Sequence, residues 1–110
     1  MFLMPSLYEP CGLNQMYSLR YGTVPIVRET GGLADTVTDD DSTQGGGVGF
    51  SFRPYDAGAL VDAVGRAVVA YRDPARWLRI VVRGMSRENS WGASAARYFD
   101  LYRDALSRRT

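Results

Sequence analysis

Two short stretches of this sequence carry residue types that could handle a ligand: Glu9-Pro10-Cys11-Gly12-Leu13-Asn14 and Thr30-Gly31-Gly32. Pro10 disfavours the helical conformation at Glu9, so Glu9 is expected to be extended and to project from the end of the preceding element. Gly12 has no β-carbon, which lets a ligand come close to the backbone. An amphipathic run begins near Leu13, and the first amide N–H groups of a helix have no partner within it. Those N–H groups and the positive end of the helix dipole favour an anion, most often a phosphate. A carboxylate beside that site would repel the phosphate, so Glu9 is better suited to accepting hydrogen bonds from neutral hydroxyls. Phosphate at the helix start and hydroxyls at the carboxylate together describe a nucleotide-sugar. On spacing alone a second reading of Glu9 stands beside the first, in which the side chain simply caps the helix.

Several elements must hold these residues in place. Met1 to Met4 is an apolar run that breaks at Pro5-Ser6, and the amphipathic run reaches Tyr21, where Gly22 ends it as glycine commonly ends a helix. Val24 to Val27 is a second apolar run, too short for a helix and containing β-branched residues. The order strand, loop, helix, strand is one parallel βαβ unit, and ligands sit at the carboxyl ends of its strands. Both ligand-handling stretches fall there. The adjacent glycines at 31 and 32 permit a tight turn with close approach to a ligand, and Leu33 to Val37 is expected to begin a short helical turn. Val48 to Phe52 is a third strand candidate.

Three helices are expected after it. Asp56 is an N-cap, and Leu60, Val64, Ala67, Val68 and Tyr71 give one apolar face from about 57 to 72. Asp73-Pro74 is a second cap with proline at the first helical position. Trp77, Ile80, Val81 and Met85 form the face of the next helix, which runs to about Arg83. Ser90 caps a last helix with Trp91, Ala95, Tyr98, Leu101 and Tyr102 on one side. These aromatic stripes read as core. Asp39-Asp40-Asp41 and the glycine-rich segment after it read as a solvated loop, because three successive aspartates lack the alternate spacing of a calcium loop. Gly45-Gly46-Gly47 comes before a strand instead of after one, unlike a dinucleotide fingerprint. The fold class is α/β, a partial Rossmann-like arrangement of about three short parallel strands and several helices.

Composition narrows the function classes. The chain has 110 residues, enough for one small domain, and a net charge of +1, which gives no electrostatic case for nucleic acid or membrane binding. No apolar run approaches the ~20 residues of a transmembrane helix, and no signal peptide pattern is present. The single cysteine cannot form an intramolecular disulfide, which suits a reducing, cytoplasmic setting. Cys11 as nucleophile or metal ligand is disfavoured, since the sequence holds no histidine to serve as base or co-ligand. It is expected to be a small residue beside a sugar pocket, and no metal or cofactor is expected. All 13 positive residues are arginine.

The motifs resemble a known family. Pro5-Ser6, Tyr8-Glu9-Pro10-Cys11-Gly12-Leu13-Asn14-Gln15, Leu19-Arg20-Tyr21-Gly22-Thr23, Arg28 and Thr30-Gly31-Gly32-Leu33-Ala34-Asp35-Thr36-Val37 are similar to bacterial glycogen synthase and plant starch synthase. Gly49 to Phe52, Ser90-Trp91 and the Tyr98 to Tyr102 helix resemble that family's carboxyl terminus. The likeness spans nearly the whole chain but only the carboxyl-terminal part of a full-length member. It implies the GT-B architecture, with two Rossmann-like domains facing across a cleft. It also implies a retaining transfer of glucose from ADP-glucose to the non-reducing end of an α-1,4-glucan. By resemblance Glu9 is the catalytic-site carboxylate that hydrogen-bonds the transferred glucose, while amides near Gly12 and Leu13 hold the distal phosphate. Pro10, Cys11, Asn14, Tyr17, Thr30, Gly31 and Gly32 complete the expected substrate-binding set. Many related enzymes carry a second acidic residue where Tyr17 stands, and tyrosine there is similar to the glycogen and starch synthase branch.

Residues 1–110 are thus expected to be the carboxyl-terminal part of the nucleotide-sugar-binding domain, with ADP-glucose or ADP as ligand. The glucan acceptor is expected to need an amino-terminal domain that these residues do not include. The family's donor-site arginine and lysine, its Lys-x-Gly-Gly-Leu loop and the histidine near the transferred sugar lie outside the matched segment. The chain alone is therefore expected to transfer no glucose, and a non-catalytic module or gene remnant is the alternative. By resemblance the last helix reaches back to that amino-terminal domain, so without it part of the Trp91/Tyr98/Tyr102 face is expected to be exposed or turned onto its own sheet. A sheet this small implies marginal stability or self-association, since small domains bury only ~60–65% of their unfolded surface.

Overall fold

A computed structural model describes residues 1–109. Three strands, β1 (Phe2–Met4), β2 (Pro25–Arg28) and β3 (Phe50–Phe52), form one parallel sheet in the order β1-β2-β3. Met4 pairs with Val27, and Val27 with Ser51, so the carboxyl ends of all three strands share one edge of the sheet. The helices are α1 (Asn14–Arg20), α2 (Gly31–Thr36), α3 (Ala57–Tyr71), α4 (Pro74–Met85) and α5 (Trp91–Ser107). Leu33 to Val37 was expected to open a short helical turn, and α2 is that turn, beginning two residues earlier.

Side chains alternate across the sheet and fill two cores. Val24, Ile26, Phe50 and Phe52 face α3 and α4, packing with Ala63, Ala67, Ala70 and Ile80. Met4, Val27, Leu33, Val37 and Val48 form the second cluster with Leu19 of α1. The face of α3 differs slightly from the expected one. Alanines 63, 67 and 70 are buried, whereas Tyr71 is largely exposed and meets Trp77 edge-on at 5.2 Å. Small side chains let α3 lie close against β3, and the larger Leu60 and Val64 flank that contact. The expected caps form: Asp56, Asp73 and Ser90 accept hydrogen bonds from the amides of Ala59, Arg76 and Ala93.

Two readings need correction. The first concerns the aromatic stripe of α5, read as core; the expectation that its Trp91/Tyr98/Tyr102 face stands exposed without an amino-terminal partner describes it instead. The helix has no buried residue, packs against no other element among the described residues, and leaves Trp91 88% exposed. The radius of gyration is accordingly 16.0 Å, against roughly 13 Å for a compact chain of this length. An amphipathic period says that a helix has an apolar face, not that this chain supplies its partner.

The second concerns Asp39-Asp40-Asp41: Asp41 to Gly46 are exposed, as in a solvated loop, but the two aspartates before them are not. Asp39 and Asp40 are buried, with Asp40 fully enclosed. The Asp40 carboxylate accepts from Arg76 Nη2 at 2.8 Å and Nε at 3.0 Å, and from Arg83 Nη1 at 3.5 Å. Asp39 accepts from Arg66 Nη1 at 3.0 Å and from the Ser51 amide at 2.7 Å. Burial works against the Asp39 charge, but the Ser51 and Ser42 amides and Arg66 outweigh it and hold its carboxyl below the ordinary carboxylate range. The cluster ties the segment between α2 and β3 to α3 and α4.

Candidate functional site

The hinge between β1 and α1 lies at the carboxyl edge of the sheet and crosses the start of α2. Neighbouring groups donate to several of its carbonyls. Arg28 Nη1 donates to the Leu7 carbonyl at 2.7 Å and to that of Ser6 at 3.5 Å, while its guanidinium lies 5.5 Å from the Tyr55 ring centre. The Gly32 amide donates to the Glu9 carbonyl at 2.9 Å. Gln15 Nε2 donates to the carbonyls of Cys11 at 3.1 Å and Gly12 at 3.0 Å.

The two glycines at the start of α2 serve this contact. A β-carbon on Gly31 would collide with the carbonyl oxygen of Glu9, and one on Gly32 with that of Cys11. They were read as room for a ligand; the group that comes close to them is the hinge's own backbone, and Gly32 is buried beneath it. Gly12 has a φ of +72°, a left-handed conformation that favours glycine. Gly31 and Gly32 thus admit the hinge backbone.

The Glu9 carboxylate contrasts with its backbone. It accepts one long hydrogen bond, from Ser6 Oγ at 3.4 Å. It caps neither helix, since neither α1 (cap position Leu13) nor α2 (cap position Thr30) has a side-chain cap. The helix-cap alternative is therefore set aside. The half-buried Glu9 side chain stands at the strand ends with acceptor capacity to spare. Around it, Pro10, Cys11, Leu13, Asn14 and Tyr17 are exposed, Gly12 and Thr30 are half-buried, and Gly31 is exposed. The contacts that bring the two stretches together are those of Glu9 and Cys11 with Gly31 and Gly32.

Sequence reasoning passed over three residues that build this site. Gln15 and Arg28 lock the hinge, and Thr36 Oγ1 accepts from Gln15 Nε2 at 3.0 Å. Gln15 left a trace in the sequence: it sits one helical turn before Leu19, on the face of α1 that is buried, where an apolar residue is the usual occupant. Among the described residues no group of three or more His, Cys, Asp or Glu side chains is arranged to hold a metal ion.

A parallel sheet with an open carboxyl edge and a locked acidic hinge defines part of a GT-B glycosyltransferase domain. The chain is a homologue of the glycogen synthases. It is 57% identical over 109 residues to the glycogen synthase of Desulforudis audaxviator, a match covering 98% of this chain and 22% of that protein. It is 59% identical over 103 residues to the enzyme of an Anaeromyxobacter species, covering 94% of this chain and 22% of that protein. Among solved structures, the catalytic domain of starch synthase IV from Arabidopsis thaliana, bound to ADP and acarbose, superimposes with a TM-score of 0.84 at 44% identity. That superposition covers 97% of this chain and 22% of the other. Sucrose-phosphate synthase from Thermosynechococcus elongatus superimposes with a TM-score of 0.68 at 31% identity, over 96% of this chain and 25% of that one. No protein-family model matches. The chain thus spans about 22% of the length of the curated relatives it matches. No helix among the described residues is long and apolar enough to cross a membrane.

Proposed function

We propose that residues 1–110 are the carboxyl-terminal part of the donor-binding domain of a glucan synthase, which transfers glucose from ADP-glucose to the non-reducing end of an α-1,4-glucan. The observation that carries this reading is the state of Glu9: its carbonyl is held by the Gly32 amide while its carboxylate is left nearly free at the strand ends. A carboxylate so placed accepts hydrogen bonds from sugar hydroxyls, and favours the positive charge that develops on the glucose in an oxocarbenium-like transition state. The amides near Gly12 and Leu13 hold the distal phosphate. Pro10, Cys11, Asn14, Tyr17, Thr30 and Gly31 border the same edge. The ADP in the homologous starch synthase structure supports ADP over other nucleotides.

The glucan acceptor and the donor-site cations belong to parts of such an enzyme outside these residues, so the chain alone transfers no glucose. A cytoplasmic setting belongs to the same reading and is supported by the single exposed thiol, Cys11. So does self-association: the exposed Trp91, Tyr98 and Tyr102 on α5 face solvent unless an amino-terminal domain or a second copy covers them. Sedimentation of the purified chain as a monomer at all concentrations removes that last part.

Calorimetric titration of the chain with ADP-glucose, UDP-glucose and ADP tests the proposal. Binding of ADP and ADP-glucose, with UDP-glucose weaker, is the expected result. A non-catalytic module or gene remnant is the second reading. Absence of binding to any of the three ligands selects it.

A further inference from the structure

We propose that Gln15 is a positioning residue for Glu9: its side-chain amide locks the turn that aims the carboxylate. The proposal rests on the donor-site reading above. Gln15 is fully buried on the first turn of α1. Its Nε2 donates to the Cys11 carbonyl at 3.1 Å, the Gly12 carbonyl at 3.0 Å and Thr36 Oγ1 at 3.0 Å. The Thr36 hydroxyl donates onward to the Gly32 carbonyl at 2.6 Å, and the Gly32 amide donates to the Glu9 carbonyl at 2.9 Å. These bonds close a circuit through α1, α2 and the hinge, and Gln15 is where it meets the backbone just after Glu9.

The other half of the amide shows that this position is not simply filling a core. Gln15 Oε1 is buried without a protein partner. A buried polar atom left unpaired is unfavourable, and leucine or methionine would fill a similar volume without it. The use of glutamine here lies with Nε2. The turn at Cys11-Gly12 is left-handed at Gly12, precedes the regular helix, and directs two carbonyls inward that Gln15 satisfies together. A β-carbon placed on Gly12 would stand 2.7 Å from Gln15 Oε1 and 3.1 Å from Glu9 Cγ, so the amide and the Glu9 side chain border the same small space. Ser6 holds the carboxylate only at 3.4 Å. The direction of Glu9 therefore depends on the backbone beneath it, and that backbone depends on Gln15.

The test uses a full-length glycogen synthase in which these residues replace the matching segment. Gln15→Met, Thr36→Val and Glu9→Ala are made singly, and the first two are also combined with Glu9→Ala. Misplacing a catalytic group by about 1 Å can lower a rate ~10²-fold. Gln15→Met is expected to lower kcat roughly 10- to 100-fold, with KM for ADP-glucose and ADP affinity unchanged within about threefold. Thr36→Val, which removes one link and leaves the core filled, is expected to lower kcat about threefold to tenfold, and it serves if Gln15→Met fails to fold. In the Glu9→Ala background both losses are expected to shrink below about threefold, because a residue acting through Glu9 has nothing left to position. Losses that multiply in full with that of Glu9→Ala overturn the proposal and leave the donor-site reading intact. Retained activity in Glu9→Ala alone overturns both.

Discussion

Glu9 lies in the loop that leaves the sheet's carboxyl edge and Asp40 in the segment that leads into β3, and the chain treats these two acidic residues in opposite ways. Asp40 has its carboxylate fully engaged: Arg76 and Arg83 donate to it, as does the Gly47 amide at 3.2 Å. Glu9 has its carbonyl held by the Gly32 amide and its carboxylate almost idle, with one long contact from Ser6. A saturated carboxylate is a structural fastener, because its charge is already matched. A fixed backbone that presents an unsaturated carboxylate suits a ligand, because the acceptor is preorganised and unclaimed. The comparison predicts that stability follows Asp40 and activity follows Glu9.

The largest effect on stability is expected at Asp40. Asp40→Ala takes the buried carboxylate away from Arg76 and Arg83, which keep the Asp41 carboxylate and the Gly47 carbonyl, and the loss of its charged hydrogen bonds is expected to cost about 1.5–3 kcal/mol. Urea unfolding of the 110-residue chain measures this, and a loss below about 1 kcal/mol breaks the comparison.

Asp39 sharpens it through pH. Its folded carboxyl lies below its ordinary value of 3.8, with burial opposed and outweighed by the Ser51 and Ser42 amides and Arg66. Glu29 behaves likewise, chiefly through the Ser51 hydroxyl and then, against burial, Arg53. As pH falls the unfolded chain takes up these protons first. The stabilisation is therefore present above about pH 4 to 4.5 and is lost as pH drops from there through the folded values. Asp39→Asn is expected to flatten the acid limb of the stability curve, and an unchanged limb argues against the role given to the cluster.

The smallest effects are expected where nothing is fastened. Glu9→Gln should shift unfolding by less than ~0.5 kcal/mol, as a surface substitution does. Ending the chain at Ser90 should also change it by less than ~0.5 kcal/mol when measured in dilute solution, since among the described residues α5 packs against no other element. Hydrogen exchange along α5 should be fast for the same reason. A slow-exchanging α5 shows that the helix has found a partner surface.

Much of this was legible from residues alone. The strands at 2–4, 25–28 and 50–52 lie within or beside the expected apolar runs, and the caps at Asp56, Asp73 and Ser90 form where side-chain chemistry put them. These features are local, set by neighbours within a few positions. The Asp39–Asp40 cluster was not legible, because its arginines lie 27, 36 and 43 positions away. Composition there shows acid and glycine, which reads as solvent. The burial of Gly32 escaped for a similar reason: the pattern marks a close approach without saying what approaches. The α5 pattern announces an apolar face and leaves its partner unstated.

The central claim is that Glu9 meets the sugar and not the nucleotide. It is tested by measuring transferase kcat/KM and ADP affinity together for Glu9→Ala in the full-length chimera. Losing one or two hydrogen bonds to a charged group, at ~1.5–3 kcal/mol each, should lower kcat/KM by roughly 10- to 10⁴-fold. ADP carries no glucose, so its affinity should stay within about threefold. Activity retained within about threefold, or ADP binding lost in parallel with activity, contradicts the claim.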